Sequence, residues 1–417
     1  MRVSFRGTRD YPLRTATPSE YEESMFIQSL RIDSLLSFAP GTPPIGLQPL
    51  NVVIGPNGSG KSNLIEAIEL LHATPSAFAS AIRDGGGVRE WIWKGEGAGL
   101  PASLDAQLQR GPGKGPLRYH LQFAPAGSRV EIVDEAIEEA ERSKPTAKDV
   151  YFYYRFQGGH PVLNVHEAGG DKRTQRKLKR ESLAADESVL SQRKDPDLYP
   201  ELSWVSTEFS RLQTFREWSF GRYSALRQPQ PADLPTDFLL PDARNLGLIL
   251  NQLEHGGSGP ELNELLRRFL PRFHRVSTLV QAGTVQFFLH ESELKGPVPA
   301  TRLSDGTMRF LALIALLLSP SPPPLVCIEE PELGLHPDAV ALVADLLVAA
   351  SARMQLIVTT HSDTLVSALT EQLESVLVCE YLGGTHLRRL STDELSHWLD
   401  RYRLGDLWRM GELGGNP

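Results

Sequence analysis

Cysteine is scarce in this sequence, with two in 417 residues, Cys327 and Cys379. Two thiols cannot build a disulfide framework. Each lies in an apolar, strand-like run, Leu325 to Ile328 and Val376 to Cys379, so both read as buried core thiols. Long hydrophobic runs are also missing. The longest, Phe310 to Leu318, is about half of the ~20 residues a membrane span needs, and the start, MRVSFRGTRDYP, carries no apolar segment of signal-peptide type. A cytoplasmic protein without membrane contact is the expectation. Positive charge is short as well, because 43 basic against 51 acidic residues leave a formal charge of -8. Any nucleic-acid contact therefore has to come from a local patch and not from the overall field. Glycine (35) and proline (31) stay below the range of disordered or collagen-like chains, and the 41% of apolar residues suffices for a sizeable core. At roughly 150 residues per domain the length allows two or three domains.

What is present is a pattern split between the two ends of the chain. A polar extension, residues 1–24, precedes Met25. Alternating apolar residues in FIQSLRIDSLLSF and the buried run LQPLNVVIG predict strands, and Asn63 to Ala73 predicts a helix. Ser76 to Gly99 reads as Gly-rich and irregular. Further strands are expected at RYHLQFA, RVEIVDE and VYFYYRFQGGHPVLNVHE, the last with a Gly-Gly hairpin turn. A basic stretch, Asp171 to Arg180, then leads into a polar helical stretch reaching about Ser224. Helical patterns resume in ARNLGLILNQLEH and ELNELLRRFLPRF. From Leu303, apolar helices alternate with buried strands at LVCI and QLIVTT, an α/β pattern whose first strand lies some 250 residues earlier. The expected division is a discontinuous nucleotide-binding domain, residues 25–170 and 276–417, around a mainly helical insert, residues 171–275.

Four motifs carry chemistry. The strongest is Gly55-Pro56-Asn57-Gly58-Ser59-Gly60-Lys61-Ser62, which fits GxxxxGK[ST] between a buried strand and a helix. In such a P-loop the glycines let backbone N–H groups curl around phosphates, Lys61 reaches the β- and γ-phosphates of ATP, and Ser62 ligates Mg²⁺. The second is Glu329-Glu330 at the end of LVCI, where open α/β sheets bind their ligands. Spacing assigns Glu329 to the metal and Glu330 to the attacking water. The third is Leu303-Ser304-Asp305-Gly306-Thr307 at the start of an apolar helix. Taken alone, Ser304 or Asp305 reads better as a plain N-cap, yet a Ser-x-Gly helix start is also a phosphate-binding surface. The fourth is His361 after LIVTT, an ordinary polar strand end taken alone, and in company with the others a group that senses the γ-phosphate.

In the order P-loop, LSDGT, IEEPELGLHP, TTHS, these residues resemble the ATP-binding-cassette ATPase heads, most closely the RecF/SMC-like branch with the predicted ATPases of AAA15 or AAA21 type. The resemblance runs from Met25 to the end of the chain. It implies an α/β P-loop fold of the cassette type with a mixed β-sheet lobe and an inserted helical lobe. It also implies a homodimer sandwiching two ATP, in which Ser304 and Gly306 of one subunit close over the γ-phosphate held by Lys61 of the other. Asn63 would belong to the same phosphate cradle. Leu335, His336 and Pro337 would line the seam, and His361 would be the switch histidine. Three departures stand out. Glu329 occupies a position where most cassette heads carry Asp. IDSLLSF lacks the Asn and Arg that relatives usually place near the nucleotide. The Q-loop glutamine is open between Gln107, Gln109 and Gln122.

The expected function is an ATPase that hydrolyses ATP with Mg²⁺ and dimerises, in DNA-associated work such as repair or defence. Lys172, Arg173, Arg176, Lys177, Lys179 and Arg180 are the candidate DNA contacts. The plain alternative for that run is a solvated charged face. A competing reading is the sensor subunit of a two-gene anti-phage module acting through a nuclease-like partner. The chain carries no nuclease pattern of its own, since Asp195-Pro-Asp197 lacks the strand and the partner Glu of a Toprim site. A transporter cassette fits less well, because the P-loop and signature are too far apart for a compact transporter head.

Overall fold

The computed structural model describes residues 24–111, 113–142, 149–157, 160–166, 173–177, 183–216, 218–399 and 401–414. An antiparallel sheet of eight strands contains β1 (Ile27–Asp33), β2 (Ile45–Gly46), β4 (Ala102–Leu108), β5 (Leu117–Ala126), β6 (Arg129–Glu139), β7 (Phe152–Gln157), β8 (His160–His166) and β9 (Arg173–Lys177). Their spatial order is β2-β1-β4-β5-β6-β7-β8-β9. Strict alternation builds it: Leu117, Tyr119, Leu121 and Phe123 of β5 are buried, while Arg118 and His120 between them face outward. Arg118 pairs there with Asp105 and Glu138, on the strands to either side.

The second sheet holds β3 (Leu50–Ile54), β10 (Gln213–Phe215), β15 (Leu325–Glu329), β16 (Gln355–Thr359), β17 (Val376–Tyr381) and β18 (Thr385–Arg389) in the order β10-β15-β16-β3-β17-β18. All its pairings are parallel except β17 with β18. Its central strands are apolar on both faces, as a parallel sheet covered on both sides requires. Val52, Ile54, Val326, Ile328, Leu356 and Val358 enter one core. Val53, Leu325, Cys327, Ile357 and Cys379 enter the other.

Helices seal each face. Helix α1 (Lys61–Ala73) packs Leu64, Ile65 and Ile68 into the core shared with the eight-stranded sheet. Two short helices, α2 (Phe78–Asp84) and α3 (Val88–Trp91), and then α4 (Pro200–Ser210), contribute to that same core. The opposite face is covered by α5 (Leu246–His255), α6 (Gly259–Phe269), α7 (Asp305–Leu317) and α8 (Pro337–Ala350). Helix α9 (Asp363–Ala368) follows β16. A small sheet of β11 (Gln230–Pro231), β12 (Phe273–Gln281), β13 (Thr284–Glu291) and β14 (Val298–Pro299) lies before α7 in the chain.

Three local expectations change. The stretch Ser76 to Gly99 is irregular only beyond Trp91, since α2 and α3 pack together before it and Trp91 Nε1 donates to the Ile82 carbonyl at 3.1 Å. A Cβ on Gly85 would lie 2.6 Å from the Trp91 ring, so the glycine makes room for the indole. Part of the basic stretch, Arg173–Lys177, is strand β9, paired antiparallel to β8. Lys172, Lys179 and Arg180 lie outside the described residues. The polar stretch read as helix to about Ser224 ends at Ser210 and gives way to β10, which pairs parallel with β15. Both thiols are buried and free, as expected. Among the described residues no helix is long and apolar enough to cross a membrane.

Candidate nucleotide site

Strand β3 delivers its last residue, Ile54, to a loop that turns back on itself before α1. The turn closes with Ser59 N–H on the Pro56 carbonyl at 3.3 Å. Asn57 and Gly58 stand exposed at its tip, whereas Gly55, Ser59 and Gly60 are buried. Gly55 and Gly60 have no alternative residue. A Cβ on Gly55 would lie 2.2 Å from the Cys379 carbonyl oxygen, and one on Gly60 would lie 2.0 Å from Thr385 Oγ1, with φ at 150° and 108°. The back of the loop is tied to the sheet, because the Ser59 carbonyl accepts from Thr385 Oγ1 at 2.8 Å and from Cys379 Sγ at 3.4 Å. Asn63 Nδ2 donates to Ser37 Oγ at 2.6 Å, and Ser37 in turn meets Thr385 Oγ1. Ser37, Thr385 and Cys379 thus form a support behind the loop that no sequence motif announces.

The mouth of the loop is built for an anion. The N-cap of α1 is Gly60, which has no side chain to cap it, and no acidic residue lies in the first turn. The helix end therefore keeps its free N–H groups and its positive potential. Lys61, 7% exposed, folds its Nζ onto the Gly55 and Pro56 carbonyls at 2.7 and 3.0 Å. Burial holds its ammonium below the ordinary lysine range, against the opposing pull of Cys379, Glu330 and Glu329. Ser59 Oγ is buried and has no hydrogen-bond partner among the described residues.

Beside the loop stands the pair expected to hold the metal. Ser62 Oγ donates to Glu329 Oε1 at 2.5 Å, joining α1 to the end of β15. Two oxygen donors at a phosphate cradle suit Mg²⁺, which keeps several waters and takes few protein ligands. No group of three or more His, Cys, Asp or Glu that could hold a metal ion occurs among the described residues. Glu329 has a further partner. Arg216, directly after β10, donates from Nε to Glu329 Oε2 at 3.2 Å and pairs with Glu66 and Glu69 of α1 at 3.1 and 3.3 Å. Nothing in the sequence singled out Arg216. Of the three candidate glutamines, Gln107 and Gln122 lie on β4 and β5, and Gln109 is bonded to Gln28 at 2.6 Å.

Glu330 adopts a left-handed backbone, φ 46°, a strained state for a residue with a side chain. It is held there by its N–H on the Thr359 carbonyl and by its own carbonyl, which accepts from Leu333 N–H and Arg309 Nη1. The twist brings Glu330 Oε1 to 3.8 Å from His361 Nε2. Burial and the Lys61 charge hold the His361 imidazole below its ordinary value, against the opposing pull of Glu330. The His361 backbone N–H and Thr360 Oγ1 are both gripped by Glu332, at 3.1 and 2.5 Å.

The LSDGT segment opens α7. Ser304 is its N-cap, accepting from Thr307 N–H at 3.1 Å, and is exposed. The loop before it hangs on Arg227, whose buried guanidinium binds the Phe220, Ala300 and Leu303 carbonyls and pairs with Asp305 at 2.5 Å. A Cβ on Gly306 would lie 2.8 Å from the Gly334 carbonyl, so LSDGT and the GLHP segment touch within one chain. Leu335 is half-buried, His336 is exposed and caps α8, and Pro337 occupies the first turn of that helix. Asp195-Pro-Asp197 proves to be a turn, with Asp195 Oδ1 accepting from Asp197 and Leu198 N–H at 3.0 Å each.

A parallel sheet that carries this glycine loop, an acidic pair at the next strand but one, and a serine-capped helix has the α/β fold of P-loop ATPase heads. The chain belongs to the family described as "AAA domain, putative AbiEii toxin, Type IV TA system", whose model matches residues 50–367. In fold it is similar to an SMC head bound to the C-winged helix domain of ScpA, at TM-score 0.54 and 14% identity over 88% of this chain and 99% of that one. It is also similar to the Smc head with an extended coiled coil bound to the C-terminal domain of ScpA from Pyrococcus furiosus, at TM-score 0.51 and 13% identity over 90% and 98%. Among curated proteins it is similar to the Old nuclease of Escherichia phage P2, 29% identical over 167 residues. That match takes in 35% of this chain and 27% of the nuclease, so the chain spans about a quarter of that relative's length.

Proposed function

We propose that the chain binds and hydrolyses ATP, and that two heads close around two nucleotides. The observation that carries the reading is the meeting of Ser62 with Glu329 at 2.5 Å, with Lys61 beside them and Glu330 next in the chain. The glycine loop and the free end of α1 would cradle the phosphates, and Lys61 would leave its carbonyl partners for the β- and γ-oxygens. Mg²⁺, held by Ser62 and through water by Glu329, would neutralise charge on those oxygens. Glu330 would orient a water and take its proton as the water oxygen bonds to the γ-phosphorus. The bond from that phosphorus to the β–γ bridging oxygen breaks, leaving ADP and phosphate. His361, whose Nε2 lies 3.8 Å from Glu330 Oε1, would hold the γ-phosphate side of the site.

Exposure of Ser304 at the start of α7 supports closure by a second copy, since its hydroxyl, already the N-cap of that helix, is accessible to a partner's phosphate. Glu330→Gln should bind ATP, slow hydrolysis by roughly 100-fold or more, and run as a dimer on sizing with ATP and Mg²⁺. A variant that stays monomeric under those conditions rules out the sandwich.

Work on DNA, or as the sensor of a two-gene defence module with a nuclease-like partner, is the broader proposal. The partial likeness to the Old nuclease supports the second form. Placement of Arg173, Arg176 and Lys177 on the edge strand β9 supports the first. ATPase rates measured with duplex DNA, and separately with the product of any adjacent gene, distinguish them.

A further inference from the structure

Arg216 is the one cation paired with the proposed metal carboxylate in the described residues, and it comes from an unexpected place. Strand β10 pairs parallel with β15 in a register that sets Phe215 opposite Ile328, so the next residue on each strand, Arg216 and Glu329, stand side by side. The base of Arg216 is fixed by packing: Phe215 meets Trp218 edge-on at 5.3 Å, and Trp218 meets Phe220 at 5.5 Å. Its guanidinium is fixed by Glu66 and Glu69, one turn apart on α1. The two carboxylate oxygens of Glu329 are then divided, Oε1 to Ser62 and Oε2 to Arg216.

A glutamate has one more rotatable bond than an aspartate, and a carboxylate that must face a metal's water shell loses affinity when it rotates. We propose that Arg216 is a positioning residue for the metal site: it holds Oε2 of Glu329 so that Oε1 stays aimed at Ser62, and the length of the glutamate makes this second anchor necessary. The guanidinium suits the task because its planar fork binds several carboxylates in fixed directions, which a lysine cannot do. Arg216 does not touch the nucleotide in this scheme. The inference rests on the ATP and Mg²⁺ reading above.

The test is binding of a slowly hydrolysed ATP analogue, titrated with Mg²⁺ and repeated in EDTA, for the full chain and for Arg216→Gln, Glu329→Asp and the double variant. Arg216→Gln should raise the half-saturating Mg²⁺ concentration about tenfold and leave binding in EDTA unchanged. With Glu329→Asp in place, the same substitution should cost less than about threefold, because the shorter side chain needs no second anchor. An equal cost in both backgrounds, an equal loss of binding in EDTA, or a lower Mg²⁺ requirement overturns the proposal. If the unaltered chain shows no Mg²⁺-dependent binding, the ATP reading itself fails. Should Arg216→Gln not yield folded protein, Arg216→Lys keeps the charge beside Glu66 and Glu69 and carries the same measurement.

Discussion

Arg309, in the first turns of α7, reaches the backbone carbonyl of Glu330 with Nη1 at 3.2 Å, while its guanidinium lies 4.9 Å from the centre of the Phe220 ring. One side chain therefore links the LSDGT helix to the strained residue proposed to handle the attacking water. Burial holds this guanidinium below its ordinary value, and the charge is kept by Glu332, Glu330 and Asp305 around it.

Arg309→Met keeps most of the stem and removes the link. Turnover is expected to fall about tenfold, a change of ~1.4 kcal/mol in the barrier, while the affinity for a slowly hydrolysed ATP analogue stays within about twofold. Single-turnover hydrolysis and equilibrium binding separate the two quantities. Equal losses in both would mean that Arg309 supports the fold and not the water-handling residue.

Gly55 and Gly58 belong to the same loop but carry different constraints. A Cβ at Gly55 collides with a backbone oxygen, whereas at Gly58, φ 77°, nothing lies within 4 Å. Gly58→Ala should cost roughly 1–2 kcal/mol for its left-handed backbone alone. Gly55→Ala adds overpacking of a further 1–3 kcal/mol and pushes the loop off β17, so it should weaken nucleotide binding the more. Thermal unfolding and nucleotide titration of the two variants check the order, and a reversed order would sink the account of the cradle.

Glu135 carries a pH prediction away from the nucleotide. It is buried on β6, accepting from Tyr119 Oη and Val189 N–H at 2.9 Å each and from Ser188 Oγ, and burial outweighs those donors to push its carboxyl up to about 7. A raised folded value means that the native state holds the proton more tightly than the unfolded chain. The stability from this group is thus present below the unfolded value and is lost as pH rises through about 7. The unfolding midpoint of the wild type should drop relative to Glu135→Gln as pH rises from about 5 to about 7. A constant difference across that range would show that the carboxyl does not titrate there.

Much of the fold was legible because its signals are periodic. Alternation in RYHLQFA gave β5, and the solid apolar runs LNVVI, LVCIE and QLIVT gave parallel strands buried on both faces. That Ser62 and Glu329 end up together follows from a GKS at a helix start and an acidic strand end, since both face the carboxyl edge of one sheet. Strand β10 escaped because three residues, QTF, are too few for any period to register. With it went Arg216. Ser37 and Thr385 escaped for a different reason: each is a small hydroxyl in a turn or at a strand start, and only folding reveals that they meet at 2.6 Å behind the glycine loop. Backbone strain at Glu330 has no composition signature at all.

Strand β3 sits between β16 and β17, and no other strand is its neighbour in the sheet. During synthesis the glycine loop therefore leaves the ribosome about 300 residues ahead of the two strands that must flank it. At roughly 5–20 residues per second, that is a wait of about 15–60 s. For all of that time β3 waits without the two strands that flank it, while α1 can pack only against the eight-stranded sheet. The nucleotide site is complete only when the last strands dock. A chain that stops before Val376 carries its P-loop sequence and β16 but lacks β17 and β18, and with them Cys379 and Thr385, which tie the back of the loop to the sheet.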